Sequence, residues 1–287
     1  MESSHFPVEP TADGSQTFFS AAFGEWFHSL GGAYEEARTT YVQATHLVER
    51  AQSQDSTTIL DICYGLGYNT AAALEGIWRV KPDALIRLVG LELDAAVPQA
   101  AIAQGLLKEW PDSVQKALQT LATNHQIRDR LNADLLIGDA RCHIQALAQS
   151  SFQADVIFLD PFSPPRCPQL WTVEFITLVA QCLHPAGVLA TYSCAAAVRA
   201  ALKMAGLRIG SITATGRRWP GTIATQADLT LPELSQQEQE HLETRAAVPY
   251  RDPTLRESAA VIQQRRQQEQ SQSSLKPTGV WRKRWLT

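Results

Sequence analysis

Nothing in this 287-residue chain approaches the roughly 20 consecutive apolar residues that a membrane-spanning helix needs. Residues 1–20 also lack a basic patch followed by an apolar run, so neither a span nor a secretory leader is expected, and the reading is a cytoplasmic protein with no membrane partner. The five cysteines (Cys63, Cys142, Cys167, Cys182 and Cys194) include no C-x-x-C pair. That argues against a disulfide framework and against a metal site, and leaves core or reduced thiols. No internal repeat is present. What is there is a hydrophobic fraction of 45%, ample for a buried core in one large α/β domain or two modest ones.

A net charge of −4 does not advertise nucleic-acid binding, but the charge is unevenly spread. Residues 1–198 hold 11 Lys and Arg against 21 Asp and Glu, a balance of −10, whereas residues 199–287 hold 14 against 8, or +6. The basic part is either a rim for a polyanion or a solvated tail.

Segments 58–63, 86–91, 134–138 and 155–159 have the composition of buried parallel strands, and 188–192 makes a fifth. Helix-like stretches at 70–80, 97–107, 114–121, 142–148, 171–183 and 195–205 alternate with them, which predicts an α/β doubly wound sheet. Segments 207–214 and 222–224 raise the expected total to seven strands, mostly parallel, in a Rossmann-like sheet with helices on both faces. Residues 1–47 are expected to cover this core, residues 48–225 to form it, and residues 226–287 to make a Gln/Arg-rich basic extension. Within the extension, 261–274 has few core formers and predicts a solvated helix or disorder.

A strand that ends near an acid and runs into Gly-x-Gly at a helix start lets a nucleotide-like ligand approach the backbone, because glycine has no Cβ to obstruct it. Asp61, Tyr64, Gly65, Gly67 and Asn69 lie in such a segment. Alone it does not choose the cofactor, since the dinucleotide fingerprint is nearly the same. Glu92 ends the second strand 25 residues after Gly67, placed to accept both ribose hydroxyls. Asp139 follows the third strand and suits an adenine amino group, with the Ala140 N–H beside it. Singly, an acid after a strand is more often a helix N-cap. Three at successive strand ends point to an adenosine site, and Gly138-Asp139-Ala140 favours the methyl donor S-adenosylmethionine over a nicotinamide.

The fourth strand ends in Asp160-Pro161-Phe162-Ser163-Pro164-Pro165, with Trp171 a little further on. A carboxylate beside aromatic walls binds an ammonium, takes its proton and orients the freed lone pair for in-line attack on a methyl group. Asp160 is therefore the expected catalytic residue, with Phe162 and Trp171 around the substrate.

Taken together these segments resemble the methyltransferase domain of the MnmC family, a Rossmann-like class I methyltransferase, over residues 18–224. The resemblance is carried by Ser29, Gly31, Gly32, Glu35, Glu36 and Ala37 before Tyr41, by Gly65-Leu66-Gly67-Tyr68-Asn69, by Leu159-Asp160-Pro161-Phe162 with Pro168-Gln169-Leu170-Trp171, by 185–192, and by Gly216-Arg217-Arg218. It implies methylation of the aminomethyl group on a modified wobble uridine in the anticodon of tRNA, giving 5-methylaminomethyl-2-thiouridine. Asp61, Gly65, Gly67, Glu92 and Asp139 then hold the donor, Ser29 and Glu35 close over it, and Asp160 meets the amine. Two departures stand out: the family carries glycine where this chain has Cys63 and Pro161. The bifunctional members also carry a flavin-dependent oxidase domain, and nothing after Ala224 is expected to fold as one.

A tRNA substrate calls for a basic border, for which Arg217, Arg218, Arg245, Arg251, Arg265, Arg266, Arg282, Lys283 and Arg284 are the candidates. Trp281 and Trp285 either stack on exposed bases or anchor the tail to its own domain. Two other functions fit the same motifs: a methyl- or aminopropyl-type transferase acting on a small amine, which would not need the basic half, and a cofactor-binding protein without catalysis. Nothing in the sequence settles the oligomeric state.

Overall fold

The computed structural model describes residues 6–214 and 219–286. Three short strands come first, β1 (Val8–Pro10), β2 (Gln16–Ser20) and β3 (Glu25–Trp26), in a small antiparallel sheet. The main sheet is built from β4 (Ser56–Ile62), β5 (Leu85–Glu92), β6 (Gln126–Arg128), β7 (Leu131–Ile137), β8 (Ala154–Leu159), β9 (Leu183–Thr191), β10 (Arg208–Ile212) and β11 (Gly221–Thr225). Their order is β10-β11-β9-β8-β4-β5-β7-β6. The five strands from β9 to β7 are mutually parallel, while β10, β11 and β6 pair antiparallel. The sheet thus has eight strands where seven were expected. The extra one, β6, is a three-residue edge strand with no buried residue, too short and too polar to leave a hydrophobic signature.

Alternation along the central strands divides the core between the two faces. Ile59, Val156 and Phe158 face a cluster closed by the helices Tyr68–Val80 and Asp112–Asn124. Their neighbours Leu60, Ile157 and Leu159 face another, closed by Ala140–Gln149, Val173–Gln181 and Ala196–Met204. The helix starts follow local chemistry: Asp139 caps Ala140–Gln149, and the Thr172 hydroxyl accepts from the Phe175 N–H at 3.2 Å. Phe18, Ala33, Ala37, Tyr41 and Leu47 lie in the first cluster, so the N-terminal segment packs directly on the sheet's helices.

The extension is stitched on by polar contacts as well as by Tyr250 and Ile262, which join the second core cluster. Residues 259–272 form a helix of which only Ile262 is buried. Tyr250 bridges to Thr172, and the Glu174 carboxylate accepts from Arg251 Nε at 2.7 Å and from the Asp252 N–H at 2.8 Å. Arg265 pairs with Glu257, and Arg266 donates to the Val248 carbonyl and lies over the Tyr250 ring. Three of the arginines expected to face RNA are therefore engaged internally. Trp281 stacks on His241 with centroids 3.9 Å apart and donates to the Gln237 carbonyl, while Trp285 donates to Glu240. The tryptophans anchor the tail; Arg282, Lys283 and Arg284 beside them are exposed. Among the described residues no helix is long and apolar enough to cross a membrane.

Candidate active site

The carboxyl ends of β4, β5, β7 and β8 lie side by side at the middle of the sheet, where open α/β folds leave a crevice for ligands. Backbone bonds continue past the strand ends: Tyr64 N–H to Leu91 O at 2.9 Å, Gly138 N–H to Glu92 O at 2.8 Å, and Asp160 N–H to Ile62 O at 3.1 Å. The four loops are thereby fixed relative to one another around a cavity of about 810 Å³. Tyr64, Gly65, Glu92, Asp139, Ala140, Asp160 and Phe162, all expected at the site, line it.

The turn after β4 is shaped by one aromatic ring. A Cβ on Gly67 would come within 2.8 Å of the Tyr64 hydroxyl, and one on Gly90 would meet Leu135 at 2.9 Å and the Tyr64 ring at 3.1 Å, so Gly67 makes room for Tyr64 and Gly90 for both neighbours. Gly67, at φ +87°, serves the cavity only through that ring and does not line it. Cys63 stands where the resemblance led to an expected glycine, and its φ is +67°, in the left-handed region that glycine occupies without cost. Burial pushes its thiol well above the ordinary cysteine range, so it is not a poised nucleophile. Cys63→Val, which adds a branched Cβ at that φ, is expected to cost about 2 kcal/mol of stability, whereas Cys63→Gly stays within about 1 kcal/mol of the parent. Denaturant unfolding of the two variants checks this.

Glu92 is nearly fully buried, and its two oxygens accept from different N–H groups, Oε2 from Gly65 and Oε1 from Asp94, at 2.8 and 2.9 Å. Burial raises its carboxyl above the ordinary glutamate range, with these N–H groups opposing the rise. Asp61, in contrast, does not reach the cavity. Its side chain is fully buried, Oδ2 accepts from the Thr70 hydroxyl at 2.7 Å, and Oδ1 has no partner. Burial, with a smaller push from the Glu92 charge, raises it to about 7 against the Thr70 bond. Between the unfolded and folded values the native state holds a proton that the unfolded chain has lost, so stability falls as pH rises from about 4 to about 7 and is flat beyond. The difference in unfolding free energy between the parent and Asp61→Asn is expected to change by on the order of 4 kcal/mol across that window, in favour of the variant at high pH. A pH-independent difference would contradict it.

Asp139 is the N-cap of its helix and also chelates the Arg141 side chain, with Arg141 Nη2 to Oδ2 at 2.7 Å. Burial pushes its carboxyl up, but the Arg141 hydrogen bonds and charge more than offset this and leave it below the ordinary aspartate range. Arg141 itself reaches on to Asp252 at 3.2 Å, tying the cavity wall to the C-terminal extension. Asp160 accepts from Asn69 Nδ2 at 2.8 Å. Asn69 is buried behind the wall and does not line it. Neither does Trp171, which is fully buried; Trp171 Nε1 donates to the Phe162 carbonyl at 2.8 Å, so it holds the loop and is not a wall for the substrate.

The cavity also has a roof that sequence motifs do not mark. Phe19, Phe23, Trp26 and Phe27, from the small N-terminal sheet and its loops, line the cavity. Phe23 stacks on Phe162 at 4.4 Å and Phe27 meets it edge-on at 5.0 Å. Glu25 takes the Ser163 N–H at 3.0 Å and the Ser163 hydroxyl, which clamps the roof to the loop after β8. Ser29 lines the cavity as expected, but the acid facing it is Glu36, buried to 3% exposure, and not Glu35, whose N–H caps onto Asp13. Tyr192, which donates to the Pro161 carbonyl at 2.8 Å, completes the wall. Arg217 and Arg218 lie outside the described residues.

The family described as S-adenosyl-L-methionine-dependent methyltransferase matches residues 98–227. A tRNA 5-methylaminomethyl-2-thiouridine biosynthesis bifunctional protein MnmC from Aromatoleum aromaticum is 33% identical over 219 residues, covering 70% of this chain and 33% of that protein. The chain thus spans about a third of the length of such bifunctional relatives. An uncharacterised protein of Methanocaldococcus jannaschii is 28% identical over 262 residues, 89% of this chain and 69% of that one. Among solved structures, MnmC2 from Aquifex aeolicus superposes with a TM-score of 0.82 at 30% identity, covering 95% of this chain and 87% of that one.

Proposed function

Because the chain belongs to the MnmC family of S-adenosylmethionine-dependent methyltransferases, we propose that it methylates the aminomethyl group of a modified wobble uridine in tRNA, with Asp160 receiving the amine. The observation that carries this reading is that Glu92 and Asp160 wall one cavity under an aromatic roof.

The residues present fit the donor. Each Glu92 oxygen already accepts one backbone N–H and keeps a second lone pair, which suits two ribose hydroxyls. Asp139 and the Ala140 N–H border the adenine end. Glu25, Glu36, Glu92, Asp94, Asp139 and Asp160 face the cavity against Arg141, a field that favours a cation. S-adenosylmethionine, when bound, supplies a methyl group on a positively charged sulfur that leaves as a neutral thioether. Asp160 would take one proton from the substrate ammonium and aim the freed nitrogen lone pair at that methyl group. Phe162, Phe23 and Phe27 exclude water and offer faces for the pyrimidine. Alignment supplies most of the rate, because the leaving group is already good.

The exposed cluster Arg282, Lys283 and Arg284 supports a polyanionic substrate. Comparing initial rates of labelled methyl transfer to undermodified tRNA and to polyamines tests the reading. Transfer to tRNA that weakens steeply with salt is the expected result; efficient transfer to polyamines with none to tRNA would assign the site to a small amine.

A further inference from the structure

Asn69 opens the helix Tyr68–Val80 immediately after the glycine turn, and its side chain is 3% exposed. Its Nδ2 donates to Asp160 Oδ2 at 2.8 Å, while its own Oδ1 is buried with no hydrogen-bond partner. A buried amide that leaves its acceptor unpaired is a poor choice for packing alone, since an apolar side chain of similar size would avoid that loss. Its use lies in the donor. The backbone bond from Asp160 N–H to the Ile62 carbonyl already ties the loop after β8 to the strand that carries the turn. The Asn69 bond adds a side-chain tie from the other end of that turn.

We propose that Asn69 is a positioning residue for the methyl transfer: it fixes the plane of the Asp160 carboxylate and joins it mechanically to the donor-binding turn. This rests on the reading of Asp160 as the group that receives the amine. Donation to the carboxylate favours its charged form, which is the form that accepts a proton. Asn69 itself touches neither the donor nor the amine, because it lies behind the cavity wall.

Two measurements on the full-length protein decide it. The first follows Asn69→Ala: kcat is expected to fall about 10²-fold, the loss typical of a misplaced reacting group, while the dissociation constant for S-adenosylmethionine stays within about twofold of the parent. An unchanged kcat, or a loss confined to donor affinity, overturns the inference and makes Asn69 structural or a cofactor ligand. The second is a thermal-unfolding cycle of Asn69→Asp, Asp160→Asn and the double exchange. Facing carboxylates in Asn69→Asp lower the Tm, and the exchange restores an amide–carboxylate pair, so the double variant is expected to recover most of that loss without recovering turnover. Additive effects overturn the pairing. If the parent transfers no methyl group to tRNA, the proposed substrate fails while this cycle still decides the pair. If Asn69→Asp does not fold, the same cycle runs with Asn69→Ala and Asp160→Ala, where non-additivity is again the expected result.

Discussion

Asp160→Ala is expected to lower the turnover of methyl transfer about 10³-fold, the middle of the range for removing a positioned acid or base. The dissociation constant for S-adenosylmethionine should change little, because the groups proposed to hold the donor are Glu92, Asp139 and the turn at Gly65, which line the cavity and do not include Asp160. Asp160→Asn sharpens the test: it preserves shape but cannot take a proton, so it should be as inactive as the alanine variant. Donor binding by calorimetry and single-turnover transfer separate the two steps. Parent-like turnover in either variant would remove Asp160 from the chemistry.

Glu92→Gln is expected to weaken donor binding about 10²-fold. The physical reason is valence. The carboxylate accepts from Gly65 N–H at one oxygen and from Asp94 N–H at the other, and an amide has only one oxygen. Its NH₂ must then face one of these N–H groups, donor against donor, in a nearly fully buried position. One backbone N–H is left unsatisfied, and the ribose meets a donor where it needs an acceptor. Losing charge-assisted bonds worth about 1.5–3 kcal/mol each corresponds to one to two decades or more in affinity. The variant should also melt at a lower temperature with no ligand present, since Glu92 organises the turn before any donor binds. An unchanged dissociation constant would contradict its assignment as the ribose ligand.

The strands that build the crevice were legible because buried parallel strands are short apolar runs, and the acids that follow them stand out. Glu92, Asp139, Asp160 and Phe162 were found that way, and each lines the cavity. Where the structure differs from expectation, the reasons are physical. In Glu35-Glu36 the two acids differ by about 100° around the helix, and sequence does not give the phase against the sheet. Trp171 was read as a wall, but its indole N–H has a backbone partner within the loop, and the whole ring is buried. Asn69 and Asp61 sit in the right motif yet face Asp160 and Thr70, a distinction of side-chain direction that spacing does not carry. The aromatic roof was hidden because β3 has only two residues, below the length at which alternation shows, and Phe23 and Phe27 lie in loops beside it. The extension's order was hidden for another reason: Arg141, Glu174, Asp252 and Arg266 hold it by long-range polar bonds, and these leave no periodicity in the sequence.

Cys63 shows the reverse relation. As a deviation from the family pattern it had no explanation in sequence, and the backbone supplies one: φ is +67°, so the residue keeps a glycine conformation with a small side chain added to the cavity wall.

The most direct test of the proposed activity is nucleoside analysis of tRNA, taken from a strain lacking the gene and incubated with this protein and methyl-labelled S-adenosylmethionine. Label in 5-methylaminomethyl-2-thiouridine at the wobble position is the expected result, present with the parent and absent with Asp160→Ala. Label in any other nucleoside, or none in tRNA at all, would contradict it.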